Sequence, residues 1–247
     1  MNTTRIAPLD RTATPSRRSL LWGMSVSAVA GPTALAALAF GQPAAATQAG
    51  VAPDVALARL AAGNARFVAG VSMRPNGDVA RRIEVAAGQK PFASILACAD
   101  SRVAPELLFD TGLGDLFVAR VAGNVVDDAI LASLEYSVIH LGSNLIMTLG
   151  HDRCGAVQAT ADALAGRGSP QDKDTKIGAL AALIAPAVEA VPASATDKVD
   201  SAVSLNASRA AAEILAQSPP LRARVAAGTL RIVAARYDLD DGKVTQL

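Results

Sequence analysis

Three side chains able to do chemistry alternate in CADSR, residues 98–102: the thiol of Cys98, the carboxylate of Asp100 and the guanidinium of Arg102. A second short segment, GHDRCGAV (150–157), sets the imidazole of His151 three residues before the thiol of Cys154. The chain has two cysteines and two histidines, so cysteine–histidine chemistry must draw on these residues and His140. At a helix start, residues three apart can point to one side. Two thiolates and one imidazole form a soft donor set that suits zinc, and three protein ligands leave a fourth position open, as catalysis requires. Asp100 is the candidate for that position or for a place beside it. Arg102 can clamp its carboxylate through two parallel hydrogen bonds and hold it off the metal. The competing reading is a Cys98–Cys154 disulfide, the default for paired cysteines in an oxidising compartment. Cysteine number does not separate the two. His140, late on a helix, reads as a partly exposed helical residue, and DLDDG (238–242) as a turn in preference to a calcium site.

The elements that must position these groups follow from hydrophobic patterning. PFASILA (91–97), DLFVARVA (115–122), NLIMTLG (144–150) and LRIVAARYD (230–238) are short, mostly apolar runs, suited to strands covered on both faces. Between them, 129–141 and 155–164 read as helices, with two more over about 175–190 and 198–217. The spacing of Val55, Leu57, Leu60, Ala61, Phe67 and Val68 predicts an N-terminal amphipathic helix from Pro53 to near Gly70, followed by a loop through SMRPNGD. The fold class is therefore α/β, a mostly parallel sheet of four to five strands flanked by helices, with an N-terminal helical arm. Cys98 follows the first strand and His151 the third. In an open parallel sheet ligands gather outside the carboxyl ends of the strands, so both fall on one rim.

Residues 1–46 read as an export signal and not as part of the fold. Arg17 and Arg18 stand in SRRSLLWG, an uncharged run extends from Leu20 to Phe40, and Ala44, Ala45 and Ala46 offer a small-residue cleavage site. This is the pattern of a twin-arginine signal and predicts a periplasmic or otherwise exported protein; the alternative is an uncleaved membrane anchor. The expected mature domain is 47–247, with 47–52 as a tether. The whole chain carries +1 and the leader carries four arginines against Asp10, or +3, which leaves about −2 on the mature part. That balance speaks against a nucleic-acid partner, and cleavage would leave no membrane attachment.

CADSRV followed by HDRCGAV resembles the β-class carbonic anhydrases, whose signature is C-x-D-x-R and then H-x-x-C-G. LARLAAGNARFVAG, GDLFVARVAGNVV, SLEYSVIHLG and LRIVAARYDLDDGKV resemble further family segments in the same order, from about residue 53 onward. The resemblance implies a carbonate dehydratase with one zinc per chain, held by Cys98, His151 and Cys154. It implies that Asp100, paired with Arg102, accepts a hydrogen bond from zinc-bound hydroxide, or ligates zinc itself in a closed state. It implies a substrate pocket lined by Gln89, Phe117, Tyr136 and Gly155 and shared between two subunits, hence a homodimer or homotetramer. Arg120 matches an arginine of the bicarbonate inhibitory site found in some members, but the tryptophan of that site is absent, Trp22 being the chain's only one. The expected substrate is CO₂ or bicarbonate. Hydrolysis of a CO₂-like molecule such as carbonyl sulfide or carbon disulfide, or non-catalytic zinc binding, are the alternatives.

Overall fold

The four apolar runs form the centre of a five-stranded sheet. In the computed structural model, which describes residues 50–172 and 174–247, they become β1 (Ala93–Ala97), β2 (Leu116–Arg120), β3 (Leu145–His151) and β4 (Arg231–Tyr237). The strand order is β2-β1-β3-β4-β5, parallel throughout except for β5 (Val244–Gln246), which returns antiparallel to β4. β1 and β3 are buried at every position, as central strands covered on both faces are; their polar Ser94 and Thr148 are hydrogen-bonded inside. The expected leader and the first residues of the tether lie outside the described residues.

Helices cover both faces. On one side α1 (Pro53–Val68) buries Ala56, Leu60, Gly63 and Asn64, of which Ala56 and Leu60 join Ile95, Phe109, Leu145 and Met147 in one core cluster, with the short α3 (Pro105–Leu108) alongside. Gly63 is required there, because a Cβ would lie 1.8 Å from the Phe109 carbonyl oxygen. Asn64 then donates to the carbonyls of Leu108 and Gly242 and accepts from Val244 N–H, pinning the arm to the β4–β5 hairpin. On the other face α4 (Asp128–Ile139), α7 (Lys198–Gln217) and α8 (Pro219–Ala226) supply Leu134, Val138, Ala210, Ile214 and Leu221 to a second cluster. A third cluster caps the carboxyl end of the sheet, where Cys98, Cys154, Val125 and Val157 meet residues of α6 (Ile177–Glu189) and α7.

The sequence reading matches this arrangement with local differences. His151 is the last residue of β3 instead of the residue after it, because β3 keeps pairing with β4 as far as His151 opposite Tyr237. α2 (Val79–Ala86), capped by Asp78, and α8 were not anticipated as helices. DLDDG is a turn, with the amides of Asp240 and Asp241 donating to Asp238. Among the described residues no helix is long and apolar enough to cross a membrane.

Candidate metal centre

β1 and β3 are neighbours, yet β2 lies on the outer side of one and β4 on the outer side of the other. The chain therefore leaves their carboxyl ends in opposite directions and opens a crevice between them. Cys98 follows β1 and His151 ends β3, which brings both to that crevice. α5 (Gly155–Leu164) starts there with Cys154 at its N-cap, so the third group is carried by the helix that follows β3.

The donor atoms of Cys98, His151 and Cys154 lie within 4.8 Å of one another, and all three residues are buried. The two sulfurs are 4.0 Å apart and both cysteines are free, so the disulfide alternative does not hold in this structure. Two thiolates bound to one tetrahedral zinc at ~2.3 Å would stand about 3.8 Å apart, close to what is observed. His151 Nδ1 is 2.9 Å from the carbonyl oxygen of Asp152. A carbonyl only accepts, so Nδ1 carries the proton and Nε2 presents a lone pair. That Nε2 is buried with no hydrogen-bond partner, an orphaned acceptor of the kind a cation satisfies. The residues present fit a zinc ion.

Electrostatics agree with the donor set. Without a metal, the two adjacent thiols are driven apart in acidity. Hydrogen bonding from Cys154, opposed by burial and helped by the Gly123 amide, holds the Cys98 thiol well below its ordinary value. Cys154 is pushed up by Cys98 and by burial, although the amides of Val157 and Ala156 at the start of α5 act the other way. The Gly123 N–H donates to Cys98 Sγ at 3.2 Å. It sits in a short 3₁₀ turn, Ala122–Asn124, with φ of 71°, while Asn206 holds its carbonyl at 2.6 Å.

Asp100 stands beside the cluster of Cys98, His151 and Cys154 instead of within it. Arg102 grips it with Nε to Oδ1 at 2.9 Å and Nη2 to Oδ2 at 2.8 Å, and the Arg102 amide adds a third bond at 2.9 Å. The guanidinium holds this carboxyl well below the usual carboxylate range. Its Oδ2 is nonetheless 3.8 Å from His151 Nε2, at the edge of the three-donor cluster. Arg102 also donates to the carbonyl of Arg153 at 3.3 Å, linking the two motifs.

The remaining expected site residues separate into two groups. Gly155 opens α5 next to Cys154, and a Cβ there would meet nothing within 4 Å, so this side of the centre is open. Gln89 is exposed in the loop before β1, Tyr136 is exposed on α4, and its ring lies 6.5 Å from that of Phe117 on β2 and 5.2 Å from His140. No hydrogen bond or ring contact among the described residues joins Gln89, Phe117 or Tyr136 to the three ligands. β2 is the outermost strand on its side, which leaves this aromatic row on an outer surface. Arg120 spends two donors on the carbonyls of Cys98 (3.0 Å) and Asp100 (2.6 Å), bracing the CADSR turn. Contacts absent from the sequence reading are the Gly123 amide, the Asp152 carbonyl, and Arg236, which reaches the Asp152 carboxylate from β4. A charged residue inside the apolar run LRIVAARYD was the available signal for Arg236. The acidic trio Asp152, Asp238 and Asp240 faces its own cations, Arg236 on Asp152 and Arg153 on Asp240.

Residues 93–244 match the family model described as carbonic anhydrase. The chain is 42% identical over 191 residues to carbonic anhydrase 2 of Mycobacterium tuberculosis (strain CDC 1551 / Oshkosh), covering 77% of this chain and 91% of that protein. It is 40% identical over 192 residues to a carbonic anhydrase of Mycolicibacterium smegmatis, covering 78% and 92%. Among solved structures, the Coccomyxa β-carbonic anhydrase in complex with acetazolamide superposes with a TM-score of 0.58 at 30% identity, covering 67% of this chain and 75% of that one.

Proposed function

The chain belongs to the β-carbonic anhydrase family, and from that membership we propose that it hydrates CO₂ reversibly to bicarbonate and a proton, using one zinc held by Cys98, His151 and Cys154. The observation that carries the metal assignment is the buried, unpartnered Nε2 of His151 facing two sulfurs 4.0 Å apart. Zinc bound there supplies a Lewis acid that makes water acidic enough to attack carbon near neutral pH.

The protein's own groups do the rest. Asp100, ionised because Arg102 stabilises its charge, accepts a hydrogen bond from the attacking water and thereby turns an oxygen lone pair toward carbon. Arg102 keeps the carboxylate in one orientation, so little reorganisation accompanies the step. Val125 and Val157 line the buried side of the centre, in keeping with a small apolar substrate. A net proton must leave after each turnover, and Asp100 is too weak a base to retain it.

The test is stopped-flow CO₂ hydration from about pH 6.5 to about pH 9, a range that brackets the ~7 of zinc-bound water, with zinc content measured in parallel. Activity should rise with pH at one zinc per chain. Asp100→Asn should keep zinc and lose about 10²-fold or more in kcat. A zinc-loaded chain without CO₂ hydration at any pH would defeat the proposal and direct attention to the sulfur analogues.

We extend the reading to assembly and location. Val79 and Ile83 form an exposed apolar face on α2, and Tyr136 and Ile139 another on α4, which supports burial against further copies of the chain. Sedimentation of the 47–247 chain checks this, a monomer being the refuting result. The Arg17-Arg18 leader supports export with cleavage near Ala46, which the N-terminal sequence of the mature protein would test.

A further inference from the structure

The imidazole of His151 is held by one hydrogen bond, from Nδ1–H to the carbonyl of the very next residue, Asp152. Its aim therefore depends on how the Asp152–Arg153 turn is fixed. That turn is not a relaxed one: Arg153 has φ of 50°, in the left-handed region that a non-glycine residue occupies only when its surroundings hold it there.

Two anchors hold it from the β4 side. The Asp152 amide donates to the Tyr237 carbonyl at 3.0 Å, extending the β3–β4 ladder. The nearly buried Asp152 carboxylate meets Arg236 Nε at 2.6 Å. Arg236 is itself fixed, since both terminal nitrogens bind Asp200 in the first turn of α7, Nη1 to Oδ2 at 2.7 Å and Nη2 to Oδ1. One guanidinium thus joins the turn between two metal ligands to a strand and to a helix. Without it, the Asp152 and Asp200 carboxylates would face each other with their shared cation gone. Asp152 would then rotate toward water and carry with it the carbonyl that His151 depends on.

We propose that Arg236 is a positioning residue for the metal centre, acting through Asp152 to keep His151 Nε2 aimed at the two sulfurs. The inference rests on the metal assignment above but not on the reaction assigned to it.

The test measures zinc affinity by chelator competition on the reduced 47–247 chain. Arg236→Met, which keeps the bulk and removes the charge, should weaken zinc binding about 10- to 100-fold, the size typical of lost support behind a ligand. Asp200→Asn, which leaves the Nε–Asp152 bond in place, should have a smaller effect. Asp152→Asn combined with Arg236→Met should recover part of the loss, because no carboxylate is left unpaired. A second readout comes from the ring N–H signals of the chain's two histidines: the Nδ1–H of His151 should exchange with water faster in Arg236→Met. If that variant does not fold, Arg236→Lys keeps the charge without the planar fork and should still bind zinc several-fold more weakly. Zinc affinity within twofold of wild type, with only the metal-free unfolding midpoint lowered, would show a purely structural ion pair and overturn the inference. Wild-type protein that binds no zinc would overturn it together with the metal assignment. The expected affinity pattern without CO₂ hydration would sink the reaction alone.

Discussion

Replacing Gly123 with alanine tests the packing behind Cys98. The residue has φ of 71°, and an added Cβ would lie 2.6 Å from Ile184 Cδ1 and 3.3 Å from both Ile184 Cγ1 and Ala156 Cβ. Left-handed backbone costs alanine about 1–2 kcal/mol. Forcing a methyl against a fully buried side chain costs about 1–3 kcal/mol more, so Gly123→Ala should destabilise the metal-free chain by about 2–5 kcal/mol. Ile184→Val removes the δ carbon that clashes. Alone it should cost about 1 kcal/mol, but in the Gly123→Ala background it should be neutral or stabilising, a coupling of about 1–3 kcal/mol. Urea unfolding of reduced, metal-free protein at fixed concentration measures the four variants of this cycle. Zinc affinity should follow, because the displaced turn carries the amide that donates to Cys98 Sγ. Additivity of the two changes within about 0.5 kcal/mol would refute the steric account.

Other outcomes follow from the same structure. Asp110 is buried; burial pushes its carboxyl up, but hydrogen bonds from the Met73 amide, Arg66 (2.6 Å) and the Arg74 amide outweigh this and leave it below the ordinary range. A depressed folded value gives stability that is complete above the unfolded value of about 3.9 and lost as pH falls through the folded one. Asp110→Asn should therefore cost about 3 kcal/mol near neutrality, with the gap in melting temperature closing below about pH 3.9; a gap independent of pH would contradict this. Zinc removal in air should lead to a Cys98–Cys154 disulfide, since the sulfurs need to approach by only about 2 Å, whereas the loaded protein should keep both thiols. Thiol titration after unfolding distinguishes the two, and two surviving thiols in the stripped, aerated protein would count against it.

What could be read from the chain alone was what residue identity determines. Short, mostly apolar runs alternating with helical segments announced a parallel sheet covered on both faces, and in such a sheet Cys98 and His151 had to share a rim. α2 escaped notice because it buries nothing: its helix rests on the Asp78 cap and on Arg81 bound to Glu84, not on an apolar stripe facing a core. β5 is three residues long and exists only as the partner of β4. Near the metal centre, the missing contacts were mostly backbone groups, the Gly123 amide and the Asp152 carbonyl, which no side-chain type encodes. Arg236 was visible but its partners were not, because Asp152 and Asp200 reach it only after β3, α7 and β4 have assembled.

The division of the three clustered donor residues between β1 and the β3–α5 junction also constrains when in folding the site can exist. The 52 residues from Ala99 to Gly150 separate Cys98 from His151, and they include β2 and α4, which must cross and return before the central strands can pair. Closing a loop of that length is entropically unfavourable until the sheet contacts compensate for it. An unfolded or half-folded chain therefore offers at most His151 and Cys154 as a local pair, a weak two-donor grip. The complete three-donor set arises only with β1 docked beside β3. If the proposed zinc is bound, its capture would then come late, after the central strands have paired, and would lock a finished sheet without nucleating folding.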